Sequence, residues 1–240
     1  MFKFVKFLSL VLLLVATTLS VALASETNPN ATEVQVSGNY QEEITPDIAY
    51  INLGTVTEAE TIAAAQTKNA AVSTSIRQSL ESLGIKDEYI KTAHYAVTPI
   101  YNNDDNGRRT PTIKGYQITN SILVTTLPDK AGDVVDSALN AGANQVNTIR
   151  FGKKDEDGVR NAALAQAVRN AISKADAIAD ALNKRVVRVK SVNENGVNFQ
   201  SPEVATRLYS KGMGDNLAAT PISAGLVQLS ANVQVIVELE

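Results

Sequence analysis

The sequence predicts an α+β fold: a mixed or antiparallel sheet with long amphipathic helices packed on one face. Several separated runs alternate apolar and polar residues with period two, and two long runs repeat apolar residues at helical spacing. Each helix-like run ends in glycine or asparagine and leads into a strand-like run, so the chain reads as repeated helix-turn-strand units. With 44% hydrophobic and 20% charged residues in 240, there is enough apolar material for a buried core without metal or disulfide staples.

Taken in order, the first segment is one to be removed. Lys3 and Lys6 precede an apolar run from Phe7, and the stretch closes on Ala22-Leu23-Ala24, a small-x-small cleavage pattern. This predicts a signal peptide over 1–24, cut before Ser25, and export to the periplasm or the extracellular space. Phe7 to Ala24 falls short of the roughly 20 apolar residues of a membrane span and carries Thr17, Thr18 and Ser20, so no stable span is expected after cleavage. Losing Lys3 and Lys6 makes the net charge of −3 more negative by two. That balance argues against nucleic acid and anionic membrane as partners.

The mature chain, 25–240, is expected to form a single domain, with no linker dividing it. Val34, Val36, Gly38 and Tyr40 alternate with polar residues, a half-buried strand. Ile48 to Val56 is apolar on both faces and belongs near the centre of a sheet. From Glu58 the period changes: Ile62, Ala65, Val72, Ile76, Leu80 and Leu83 share a helix face, stopped by Gly84. Strands over Lys91 to Tyr101 and Ile113 to Leu127 flank the turn-rich stretch Asn102 to Pro111, a hairpin. A short helix from Pro128 ends at Gly142, and Val146 to Phe151 follows as a strand. Asp155 or Asp157 then caps a long helix to Leu182, with Leu164, Val168, Ile172, Ala175, Ile178 and Leu182 on one face. Its alanines suit close packing and helix propensity equally. Asn183 takes the stop position before a strand over Val186 to Val192, and Leu229 to Leu239 alternates cleanly as the last strand. The stretch 193–225 reads as a long excursion or loop.

Residue chemistry excludes much and nominates no site. With no cysteine, thiolate catalysis, zinc ribbons and iron–sulfur clusters are out, and His94 is the one histidine. Serine-hydrolase, P-loop and zinc-protease signatures are absent from the sequence. Asn102-x-Asp104-x-Asn106-Gly107 begins like a calcium loop, but its twelfth position is Ile113 rather than a bidentate glutamate, so a hairpin tip is the better reading. Asp155-Glu156-Asp157 reads as a helix cap, and Lys184, Arg185, Arg188 and Lys190 as cations complementing the end of the long helix. No catalytic, cofactor-binding or metal residue is nominated, and the chain is expected not to be an enzyme.

A family pattern does emerge. Val36-Ser37-Gly38, Thr45-Pro46-Asp47-Ile48-Ala49 and Leu53-Gly54 are followed by Leu83-Gly84-Ile85, Pro99-Ile100-Tyr101, Gly115-Tyr116 with Asn120, Ala141-Gly142-Ala143-Asn144 and Lys174-Ala175. This series over 34–239 resembles the SIMPL-domain family, which includes periplasmic immunogenic and oxidative-stress defence proteins. It departs from the family at Asn183 and at Ala224-Gly225, both turns. The resemblance implies an envelope protein associated with stress tolerance, with no catalytic residues to carry over, and self-association as a homo-oligomer or contact with an envelope partner. A small-molecule or cell-wall binding module, with 193–225 as its lid, is the alternative.

Overall fold

A computed structural model describes residues 32–103, 107–200, 203–204 and 221–240. The signal segment 1–24 lies outside the described residues. The elements run β1 (Thr32–Ile44), β2 (Ile48–Ala59), α1 (Ile62–Ser82), β3 (Ile90–Asn103), β4 (Arg109–Thr126), α2 (Ala131–Asn140), β5 (Gln145–Gly152), α3 (Glu156–Ala181), β6 (Val186–Gln200), β7 (Glu203–Val204) and β8 (Val227–Leu239). The fold is α+β, as the periodicity predicts.

The strands form two sheets, not one. A five-stranded sheet has the order β3-β4-β2-β5-β7 and a three-stranded sheet the order β1-β8-β6; every pairing is antiparallel. β2 holds the centre of the larger sheet, as its apolar faces require. Ala49, Ile51 and Leu53 sit with Val124, Ile149 and Phe151 in a core closed by Ile76 and Leu80 of α1 and Val134, Val135 and Ala138 of α2. The second core is built from β8, whose alternate residues from Val227 to Leu239 are all buried, against α3.

Here α3 departs from the expected face. Its buried stripe is Ala163, Ala167, Ala171, Ala175 and Ala179, an i, i+4 ladder of small side chains. Leu164, Val168 and Ile172 lie at the flank, and Ile178 and Leu182 stay 38% and 51% exposed. Close packing explains the choice: a Cβ on Gly38 of β1 would sit 2.0 Å from the Ala167 carbonyl oxygen and 2.8 Å from the Ala171 Cβ. A larger residue on this stripe would push the helix off the sheet. In α1 the outer members of the expected face, Ile62 and Leu83, are likewise exposed, while Asn69 is buried.

The three helix ends repeat one geometry. Gly84, Gly142 and Asn183 have φ of 84°, 104° and 54°. In each, the N–H after that residue bonds back five positions: Ile85 to Leu80 (3.1 Å), Ala143 to Ala138 (2.9 Å) and Lys184 to Ala179 (2.9 Å). These are Schellman caps, and Asn183 fills the left-handed position that glycine fills in the other two.

The excursion over 193–225 is shorter than expected. β6 continues to Gln200, pairing Asn193 with Gln234 and Gln200 with Gln228 of β8. Asn193-Glu194-Asn195-Gly196 has turn composition, yet it is a strand carrying an irregularity between Glu194 and Val197, with Gly196 at φ 104°. Glu203–Val204 then adds to the edge of β5. The remainder of a lid, 205–220, lies outside the described residues.

Candidate functional site

Both sheets have edges, and how each is covered decides where a partner can dock. β1 pairs with β8 without a register break, so its outer side is a continuous row of backbone groups. α3 covers part of it: Asn170 Nδ2 donates to the Asn39 carbonyl and Lys174 Nζ to the Ser37 carbonyl, each at 2.8 Å. The free edges of β6 and β3 are broken by register shifts, three in each pairing, and β3 also carries Pro99. Such features blunt backbone pairing with a second chain.

What remains on β3 is a side-chain surface. α1 packs over β2 and β4, and the neighbouring edge strand lies outside its cover. Tyr95 and Val97 pair with Asn120 and Ile118, and Asn120 donates to Ser73 of α1, which puts both β3 residues on the helix side. They are 49% and 43% exposed, and Ile113, farther along β4, is 44% exposed. Three uncovered apolar side chains on one side of an edge hairpin make the candidate interaction surface.

Beneath it runs a polar chain. Asn120 Nδ2 donates to Ser73 Oγ (3.0 Å), Ser73 Oγ donates to Asn69 Oδ1 (3.3 Å), and Asn69 Nδ2 donates to Thr57 Oγ1 (3.3 Å). Asn69 is 1% exposed, so this network joins α1 to β2 and β4 from inside. Asn120 Oδ1 is enclosed without a donor, beside a cleft of about 320 Å³ lined by Ser73, Arg77, Thr92 and Ile122. Sequence reasoning missed Asn69, although it falls four residues after Ala65 on the buried stripe.

The sequence-flagged residues scatter. His94 is exposed on β3 opposite Ser121. Asp155 caps α3, accepting from the Gly158 N–H at 3.0 Å, while Glu156 pairs with Arg160 at 2.5 Å. Asp104 and Asn106 lie outside the described residues, but Ile113 is paired with Tyr101 inside the hairpin and supplies no loop ligand. The basic cluster serves the three-stranded sheet rather than the helix end. Arg188 meets Glu238 at 2.6 Å, Arg185 meets Glu240 at 3.5 Å, and Lys190 pairs with Glu33. Cross-strand placement of β6 against β8 and β1 brings these carboxylates closer than the helix terminus. Among the described residues, no three histidine, aspartate or glutamate side chains gather as metal ligands.

At the junction of the two sheets, Asp47 forms a latch. Its Oδ1 accepts the Lys154 N–H at 2.7 Å, and its Oδ2 lies 3.1 Å from Lys153 Nζ. Partial burial pushes this carboxyl up, but the Lys154 bond and the Lys153 ammonium outweigh it, so its pKa lies below the usual aspartate value.

A family model described as SIMPL, protein of unknown function (DUF541), matches residues 34–237, from β1 to β8. The chain belongs to this family. It is 28% identical over 213 residues to the 26 kDa periplasmic immunogenic protein of Brucella melitensis, covering 86% of this chain and 84% of that one. The uncharacterized protein YggE of Edwardsiella ictaluri is 28% identical over 189 residues, 78% of each chain. YggE of Escherichia coli K12 is 25% identical over 221 residues, 91% of this chain and 88% of its own. The SIMPL match spans both sheets, because the three-stranded sheet pairs its first strand with its last.

Proposed function

We propose that this SIMPL protein is an exported, non-enzymatic protein of the cell envelope that works by self-association through the Tyr95, Val97 and Ile113 surface. The observation that carries the reading is the uncovered apolar side of the β3–β4 hairpin. β3 itself is broken by register shifts, and the edges of the other sheet, β1 and β6, are capped or bulged, so side chains rather than backbone pairing supply the contact. Export is supported by the leader pattern over 1–24 and by a relative named for the periplasm. No helix among the described residues is long and apolar enough to cross a membrane. In this reading residues 25–240 act as one unit, and a part in stress tolerance rests on the sequence's resemblance to a family that includes oxidative-stress defence proteins.

The experiment is cell fractionation of the full chain with terminal sequencing and cross-linking in intact cells. The reading expects a chain that begins at Ser25 in the envelope fraction and cross-links to itself. A chain that retains residues 1–24 in the cytoplasm, or one that never cross-links, contradicts it.

A further inference from the structure

Four connections meet at one end of the five-stranded sheet: β1 to β2, α1 to β3, β4 to α2, and β5 to α3. They line an open cavity of about 290 Å³. It is lined by Ile48, the buried Ile85, Tyr89 and Leu127, and Leu127 is 55% exposed. A leucine left in water beside a concave apolar wall is area that a ligand can cover. The larger cleft, about 430 Å³, is lined by Gln41, Glu42, Glu43, Gln200 and Gln228 and has no such wall.

The charge of the rim selects the ligand. Lys130 and Lys154 line the cavity and are exposed, and among the described residues neither ammonium is in an ion pair. Asp47, the one carboxylate in the lining, is held by Lys153 and the Lys154 N–H; Asp129 and Asp155, next to the two lysines in sequence, do not line the cavity, and Asp87 and Glu88 pair with Arg77 and Lys86. An apolar pocket with two unpaired cations at its rim fits a molecule with a short apolar body and one anionic head. We infer that this cavity binds a medium-chain carboxylic acid, its chain against Ile48, Ile85 and Leu127 and its carboxylate between Lys130 and Lys154. The inference is independent of the β3 surface, which lies along a different strand.

The test is calorimetric titration of the purified protein with octanoate, and with octylamine as the cationic counterpart. Saturable octanoate binding is expected, with octylamine binding much more weakly. In the double variant Lys130→Ala/Lys154→Ala, affinity for octanoate should fall about tenfold, the size expected of two partly exposed ion pairs. Leu127→Asp should abolish binding, and Val97→Asp should leave it unchanged, each variant checked for a native thermal transition. No saturable octanoate binding, equal binding of the amine, an unaltered affinity in the double lysine variant, or loss of binding in folded Val97→Asp overturns the assignment.

Discussion

Gly38 and Asp47 show how much of this fold turns on single residues. Gly38 is where α3 comes closest to β1, with the Ala167 carbonyl where a Cβ would go. Gly38→Ala should therefore cost about 3 kcal/mol, measured by urea unfolding, because either the helix or the strand must move. A stability near wild type would mean that the alanine ladder is not the tight contact described. Asp47 has a lowered carboxyl pKa, so its stabilising effect is complete above the ordinary aspartate value and is lost as pH falls through its lower folded value. Asp47→Asn should lower stability at neutral pH by less than about 1 kcal/mol, since the pair is partly exposed. Acid unfolding of the two proteins should converge at the bottom of that range, and a gap that persists there would assign the effect to something other than charge. Gly38 was legible only as one apolar-face position in a strand. Its reason, a helix carbonyl from far along the chain, is tertiary.

At the scale of elements, the signals that held were those with a local cause. The three Schellman ends depend on one left-handed residue each, so Gly84, Gly142 and Asn183 could be read directly. Asn183→Ala should lower stability by about 1 kcal/mol while Asn183→Gly should not, and equal losses in thermal unfolding would rule out a conformational cause. β8 was legible because one face is wholly buried. β6 was legible only from Val186 to Val192: it is an edge strand, almost everywhere exposed, and its continuation through Asn193-Glu194-Asn195-Gly196 has the composition of a turn. The helices were legible, and Ala65, Ile76 and Leu80 of α1 and Ala175 of α3 are buried as their apolar spacing predicts, but that spacing did not give the whole of either face. Packing added the other small alanines of α3 and the polar Asn69 of α1, which tertiary neighbours satisfy.

For the whole molecule, alternation and helix period give the fold class but not the division into two sheets, each with its own core. That division depends on β1 joining β8 across nearly the full length of the chain. The uncovered hairpin surface was equally illegible, since Tyr95, Val97 and Ile113 look like ordinary strand residues until the reach of α1 is known. In the proposed mode of action this surface joins copies of the protein, with apolar area as the driving force. This is tested most directly by the mass of the purified protein in solution, measured by light scattering on a size-exclusion column beside its Val97→Asp variant. A defined multimer is expected for the wild type and a folded monomer for the variant. A wild-type monomer, or a multimer that the substitution leaves intact, would contradict it.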